Sequence, residues 1–223
     1  MKYEIVGKPD FSIVRLALDA NEKATAETGA MVAMSTNMKI ETKSKGGLLG
    51  GLKRMVGGES FFTNDYHPEG GPGSIEFAPS APGDVDVLEL KGNAWFVQRG
   101  AYLCHTGDIT TETKFGGMQS FFSGEGLFML RVSGTGHVFF NSYGGLQKVS
   151  VNGEYIVDTT HIVAFPEGMT YNVEAVGGLK ATFLSGEGLV CRYRGTGDLY
   201  IQTRSAPPFA SWLNPFRRVE SKK

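Results

Sequence analysis

The sequence predicts an all-β fold with few or no long helices, and three observations support this class. Apolar runs of four to eight residues recur along the chain, separated by Gly, Asn, Asp and Pro, as in short strands joined by turns. No stretch shows a sustained helical period. Glycine accounts for 31 of 223 residues, about twice its usual share of about 7%. Many short strands with frequent turns indicate a sandwich, a barrel or a β-helix-like roll.

Candidate strands follow one another between recognisable turns. The first clear run covers residues 12–18, a second covers residues 84–90, and a third covers residues 137–140. All three are rich in the branched or aromatic residues that strands favour. Turn signals stand between the runs at Pro82-Gly83-Asp84, Lys91-Gly92-Asn93, Thr106-Gly107-Asp108 and Val151-Asn152-Gly153.

Composition and charge exclude several classes of protein. Hydrophobic residues make up 41% of the chain and aromatic residues 11%, which is incompatible with intrinsic disorder. The formal net charge of −1 gives no reason to expect nucleic acid as a partner. No secretory signal is visible at the amino terminus. Cys104 and Cys191 each lie in an apolar run and predict buried free thiols, so we expect a cytoplasmic protein without disulfides.

An internal repeat is the most informative pattern. Residues 121–127 (FFSGEGL) return as residues 183–189 (FLSGEGL), and a Gly-Thr-Gly sequence follows at residues 134–136 and again at 195–197. A weaker third copy begins at Gly57-Gly58 and lacks the Ser-Gly-Glu-Gly piece. We therefore expect three similar strand modules stacked into one body.

These spacings predict the domain organisation. One β-roll domain covers residues 1–206 and contains three repeats at about 13–80, 85–142 and 150–204, and residues 207–223 form an apolar segment with a basic tail. Gly-Thr-Gly is expected at the start of a strand, where glycine permits a positive φ and a close backbone approach. Stacked modules leave exposed strand edges, which a symmetric homo-oligomer would cover.

Motifs for catalysis and cofactor binding are missing or incomplete. The Gly-Thr-Gly sequences precede a strand, whereas a dinucleotide fingerprint precedes a helix. Gly46 and Gly51 have the interval of a phosphate loop, but Arg54 stands where the magnesium-binding Ser or Thr is required. The four histidines are scattered singly, without the paired spacing of a metal site. Glu125 and Glu187 occupy equivalent repeat positions, which turn residues explain. We predict no enzyme, no cofactor, no metal and no catalytic residues.

Two segments are candidate interaction surfaces. The first mixes apolar and basic residues and fits packing on its own domain, on a sister chain or on a membrane surface. The second is apolar and bounded by prolines, and we expect it to dock on the body or on another subunit. The candidate residues are Leu48, Leu49, Leu52, Lys53 and Arg54 in the first segment, and Phe209, Trp212, Leu213 and Phe216 in the second.

The chain also resembles a known family. The stretch from Glu22 to Met34, then Gly57-Gly58-Glu59-Ser60-Phe61-Phe62, Gly70-Gly71-Pro72-Gly73 and Pro82-Gly83-Asp84, is similar to the altered-inheritance-of-mitochondria (AIM-type) family of conserved proteins of unknown function. The similarity extends to Trp212, but Ala20-Asn21 stands where the family often has Pro-Gly before Glu22. That departure concerns the geometry of the first turn.

The resemblance implies a double-stranded β-helix or roll related to the trp RNA-binding attenuation protein (TRAP-like). It implies a homo-oligomer, for example a trimer, and a link to mitochondrial membrane organisation in fungal relatives. It carries no catalytic residues to this chain. RNA or tryptophan binding does not transfer on fold similarity alone, and the balanced charge argues against RNA.

Three functional hypotheses follow. The first is a non-enzymatic β-roll that assembles with itself and serves as a scaffold or interaction module. The second is a small-molecule or cation-binding module that uses the interior or a subunit junction. The third is a peripheral membrane factor that uses residues 46–56 and the basic tail, which carries four positive charges and one negative charge over residues 217–223.

Overall fold

The computed structural model describes residues 1–43, 63–115, 128–175 and 189–217. These residues form mostly antiparallel strands, with one short α-helix and three single-turn 3₁₀ helices. The predicted all-β class with few or no long helices is confirmed. The double-stranded β-helix, the likeness to the attenuation protein and the proposed repeat boundaries stay predictions.

The middle of the chain shows the simplest arrangement of strands. β8 (Val85–Gln98), β9 (Tyr102–Phe115) and β10 (Phe128–Asn141) each contain 14 residues. β10 lies between the other two and pairs antiparallel with both. A 3₁₀ turn at Arg99–Ala101 joins β8 to β9. We call these three strands the second module.

The strands that follow, which we call the third module, have the same arrangement. β11 (Leu146–Asp158) pairs along its whole length with β14 (Leu189–Gln202). The other edge of β14 pairs with β12 (Ile162–Pro166) and β13 (Thr170–Ala175), which together take the place of β9. A 3₁₀ turn at Thr159–His161 joins β11 to β12. β14 starts 61 residues after β10, so the two modules keep the same register.

The amino-terminal part of the chain is built from shorter strands. They are β1 (Lys2–Val6), β2 (Ile13–Leu18), β3 (Ala24–Glu27), β4 (Met31–Met34), β5 (Met38–Lys43), β6 (Thr63–Pro68) and β7 (Gly73–Phe77). β7 lies between β2 and β4, and β6 lies between β3 and β5. β2 to β7 form the first module, in which each long strand is divided into two. β1 adds to the remaining edge of β2.

Neighbouring modules are joined by strand pairing. Residues 104–106 of β9 pair with residues 24–26 of β3, which connects the second module to the first. In the same way, residues 164–166 of β12 pair with residues 95–97 of β8 and connect the third module to the second. At each join, the start of one strand (β9 or its equivalent β12) pairs with the end of a strand in the preceding module (β3 or its equivalent β8).

The turns that begin the modules stack on one another. Phe11, Gly83 and Gly144 form a line of parallel bridges, and the Ser12 amide donates a hydrogen bond to the Gly83 carbonyl at 3.1 Å. Glycine is required at position 83 because a Cβ there would lie 1.9 Å from the carbonyl oxygen of Ser142. The three modules therefore stand in a line, with the first and third at the ends.

The core consists of three apolar clusters along this line. In β2, Val14, Leu16 and Leu18 are buried and alternate with more exposed positions, as expected for a strand with one face on the core. Cys104 and Phe139 of the second module belong to the same cluster as β2. The core therefore continues across the join between the first two modules.

The Gly-Thr-Gly sequences lie elsewhere than predicted. The structure places them in the middle of the 14-residue strands β10 and β14 rather than at strand starts. Gly134 has a φ of 127°, and a Cβ there would lie 2.0 Å from the carbonyl oxygen of Asp108. A register shift between Ser133 and Thr135 accompanies it. The expected physical reason, a positive φ with a close backbone approach, applies at this point within the strand.

Candidate interaction surfaces

An apolar helix follows the last described strand and projects from the β body. α1 (Ala206–Leu213) begins with prolines in its first turn, where their missing N–H groups cost little. A 3₁₀ turn at Asn214–Phe216 follows, and neither element buries a residue. The predicted interaction residues are exposed by 48% at Phe209, 63% at Trp212, 47% at Leu213 and 71% at Phe216. We call these four residues the helix surface.

A chain of aromatic rings connects the helix surface to the body. Phe209 meets Tyr143 edge to face with ring centroids 6.1 Å apart. Trp212 stacks on Phe209 at 5.9 Å and meets Phe216 at 5.6 Å. Phe209 thus supplies a ring contact with the body, and docking of the rest of the segment on another subunit stays a prediction. Most of the apolar area faces outward.

An open hollow of about 760 Å³ lies between α1 and the stacked turns. Its wall includes Phe11, Tyr143, Arg204 and Trp212, and Phe11 is itself 76% exposed. Aromatic side chains with one cationic group can bind an apolar or aromatic group from a partner.

A second apolar surface lies on the edge strand β4. In the described residues β4 pairs only with β7 and ends its sheet. All four of its residues are exposed, and the large ones are exposed by 37% at Met31, 54% at Val32 and 38% at Met34. Exposed main-chain donors and acceptors beside apolar side chains make a template for another strand.

A third surface lies at the opposite end of the line of modules. β11 pairs with β14 alone among the described strands and ends its own sheet. Near its end Tyr155 is 38% exposed and Ile156 is 47% exposed. β11 therefore offers a second apolar edge, on the third module, while β4 offers one on the first.

Buried polar groups hold the first join together. The Tyr102 hydroxyl donates to the Thr25 carbonyl oxygen at 3.2 Å and lies 2.6 Å from Nδ1 of His105. The Thr25 hydroxyl donates to Asp65 Oδ1 at 2.7 Å. Burial raises the pKa of Glu27, at the end of β3, to about 7. The hydrogen bond from Tyr102 to Thr25 therefore connects the two modules, and the nearby Glu27 carboxyl has a pKa near neutral pH.

The cysteine thiols lie in apolar surroundings. Cys104 and Cys191 are free and buried, and burial raises the pKa of the Cys191 thiol to about 12 and that of Cys104 well above its usual value. Protonated, buried thiols are poor nucleophiles and poor metal ligands. Within the part of the chain that the structure describes, no group of three His, Cys, Asp or Glu residues could hold a metal ion.

Part of the predicted interaction surface cannot be placed. Leu48, Leu49, Leu52, Lys53 and Arg54 lie outside the described residues, as do Glu125, Glu187 and most of the basic tail.

Comparison with known proteins identifies the family. Residues 3–204 match the family described as Mitochondrial biogenesis AIM24. The chain belongs to the AIM24 family. An uncharacterized protein of Streptococcus pyogenes serotype M6 is 29% identical over 231 residues, covering 99% of this chain and 93% of that protein. A Streptococcus pyogenes protein solved by X-ray crystallography shares 28% identity and a TM-score of 0.83, over 97% of this chain and 99% of that one.

The AIM24 match agrees with the predicted family but ends at residue 204, before Trp212. The helix surface therefore lies on the carboxyl-terminal side of the matched residues. No helix in the described ranges is long and apolar enough to span a membrane.

Sequence reasoning predicted exposed strand edges but did not locate them on β4 and β11. Both segments read as ordinary apolar strands, and nothing in Met31-Val32-Ala33-Met34 or in Tyr155-Ile156 reports which edge is left without a partner. The internal repeat was the sequence signal that pointed to these edges. In a row of three modules, the first and the last each lack one neighbour and leave a strand edge open.

Proposed function

We propose that this AIM24-family chain is a non-enzymatic, self-assembling scaffold or interaction module that works in the cytoplasm. The supporting observation is where its exposed apolar side chains lie. Among the described residues, nearly all the large ones belong to the helix surface with the adjoining Phe11, to β4 or to β11. Soluble monomers rarely expose contiguous apolar patches, and patches of this kind usually mark interfaces.

Mass measurement in solution tests this proposal. Light scattering coupled to size-exclusion chromatography, at micromolar concentration, should return a multiple of the 24.1 kDa chain mass. Dilution should lower the mass if the assembly is reversible. A species of 24.1 kDa that persists at all concentrations would overturn self-assembly.

A second candidate function is the binding of a small molecule in the hollow beside α1. The observation that favours it is the aromatic and cationic wall formed by Phe11, Tyr143, Arg204 and Trp212. A thermal-shift screen of aromatic carboxylates tests it, because a ligand at 100 times its Kd stabilises the folded state by about 2.7 kcal/mol. The response should disappear in Arg204→Gln.

A further inference from the structure

The chain makes the same strand-to-strand interface twice. At the first join, β9 places Cys104 opposite Ala26 and His105 opposite Thr25. At the second join, β12 places Ala164 opposite Val97 and Phe165 opposite Phe96. The two joins use equivalent positions, because Cys104 and Ala164 pair on their other side with Phe139 of β10 and Tyr200 of β14, which lie 61 residues apart.

β9 and β12, which we call the incoming strands, share a local irregularity near their starts, where both strands are buried. The register shifts between Tyr102 and Cys104 in β9 and between Ile162 and Ala164 in β12. The residues at these shifts, Leu103 and Val163, are both 0% exposed. At each join, therefore, the residue at the register shift of the incoming strand is fully buried.

β4 has the features of an incoming strand, but among the described strands it has no strand of a preceding module to pair with. It pairs with β7 with the same register shift, between Met31 and Ala33. The residue at the shift is Val32, which corresponds to Leu103 and Val163 yet is 54% exposed. Val32 is exposed because no module precedes the first one in the described chain.

β11 corresponds to β8, the strand that receives an incoming strand, but among the described strands none pairs with its outer edge. Val157 and Ile156 lie opposite Cys191 and Arg192 of β14, just as Val97 and Phe96 lie opposite Leu130 and Arg131 of β10. In the third module, however, Ile156 and Tyr155 are exposed, because no further module follows in the described residues.

We propose that β4 of one copy adds to β11 of a second copy and repeats the internal join between chains. Applying the register of the two internal joins places Ala33 opposite Val157, Met34 opposite Ile156, and Ser35 opposite Tyr155 of the second copy. The proposal rests on the proposed self-assembly and names the surface and register that it uses. Because the two surfaces differ, the contact is head to tail and generates a ring or a filament.

The charge pattern of the sheet edges supports this choice of partner. The edge strand β5 carries Lys39 and Glu41, and β1 carries Lys2 and Glu4, which are charges of the kind that discourage strand addition. β4 has no charged residue and no proline. The paired positions on β11, residues 155–157, are uncharged as well.

Disulfide trapping between two differently substituted chains tests the register. Met34→Cys and Ile156→Cys are prepared separately, mixed in equal amounts and oxidised. A new cross-linked dimer should form in the mixture at least tenfold faster than in either variant alone, since the opposed Cα atoms would lie within disulfide range. The native Cys104 and Cys191 are buried and free, so they provide a low background.

Two controls make the result specific. Lys39→Cys, on the charged edge of β5, replaces Met34→Cys in one mixture, and Glu154→Cys, two positions out of register, replaces Ile156→Cys in another. Both mixtures should cross-link at least tenfold more slowly than the matched pair. Equal rates in all mixtures would overturn the proposed register.

A second variant separates this inference from the proposed function. Val32→Lys puts a charge on an exposed side chain, so the variant should keep the wild-type circular dichroism spectrum and lose the oligomer. An oligomer that survives Val32→Lys and shows no matched cross-link would overturn the head-to-tail contact and leave self-assembly standing. A wild-type monomer without cross-links would overturn both.

Discussion

The Tyr102 hydroxyl donates a hydrogen bond to the Thr25 carbonyl oxygen at 3.2 Å, across the join between the first and second modules. Tyr102 is completely buried, so water cannot replace its contacts. The same hydroxyl lies 2.6 Å from Nδ1 of His105. One side chain thus links two modules and orients a histidine within the core.

Removing that hydroxyl should destabilise the join. We expect Tyr102→Phe to lower the free energy of unfolding by about 1–3 kcal/mol, the usual cost of depriving buried polar groups of a partner. Urea denaturation followed by circular dichroism measures the change. Tyr3→Phe, at a 42% exposed position, is the control and should shift stability by less than about 0.5 kcal/mol. Equal effects of the two variants would contradict the assigned role of Tyr102.

The stacked turns should tolerate no side chain at position 83. A Cβ at Gly83 would lie 1.9 Å from the Ser142 carbonyl oxygen, so Gly83→Ala must displace the backbone. We expect a loss of about 3 kcal/mol or more, seen as a lower Tm or as insoluble protein. Gly168→Ala is the matched control, because a Cβ there meets nothing within 4 Å. Wild-type stability in Gly83→Ala would show that the stacked turns are not as tight as described.

Glu27 should make stability depend on pH. Its pKa is raised by burial from 4.5 to about 7, so the folded state favours the protonated carboxyl. The contribution of Glu27 to stability is therefore largest below pH about 4.5, falls as the pH rises toward about 7 and then levels off. The Glu27→Gln variant should lack this component, worth about 1–2 kcal/mol between pH 5 and pH 8 for a side chain that is still partly in contact with solvent.

Urea titrations of both proteins at pH 5 and pH 8 measure this difference. Glu41→Gln, on the exposed edge strand β5, is the control and should keep the wild-type pH dependence. An identical pH dependence in wild type and Glu27→Gln would contradict the assignment.

The helix surface should contribute little to the stability of the fold. Trp212 is 63% exposed, so Trp212→Ser should change the free energy of unfolding by less than about 0.5 kcal/mol. Trp95 packs on Tyr200 with ring centroids 5.9 Å apart and borders the second core cluster. Trp95→Ala should therefore cost about 1–3 kcal/mol, because the side chain is half-buried. The two substitutions can be compared in one thermal-denaturation series, and a large loss of stability in Trp212→Ser would show that the helix serves the fold.

The fold class could be predicted from the sequence because its signals are local. Turn residues such as Pro82-Gly83-Asp84 and apolar runs such as residues 12–18 depend on short-range chemistry. The position of Gly-Thr-Gly was predicted wrongly, and the turns predicted at Gly92, Gly107 and Gly153 are wrong as well, because these glycines lie inside β8, β9 and β11. Mid-strand glycines look like turn glycines in the sequence until close approaches such as that of Asp108 to Gly134 are known. Tertiary contact decides between the two.

The candidate surfaces were predictable only in part. Phe209, Trp212, Leu213 and Phe216 stand out because these four large apolar residues lie within one short proline-bounded segment. Val32 and Ile156 do not stand out, because their exposure follows from the place of their modules at the ends of the line. Leu103 and Val163 occupy the position of Val32 and are completely buried. Burial at this position therefore depends on whether a neighbouring module is present and not on the residue type.

Sedimentation equilibrium of the wild-type chain beside Val32→Lys, at equal micromolar concentrations, tests self-assembly through the open edges most directly. The account predicts a multiple of 24.1 kDa for wild type and about 24.1 kDa for the variant, with unchanged circular dichroism. A wild-type chain that sediments at 24.1 kDa, or a variant that keeps the wild-type mass, would contradict it.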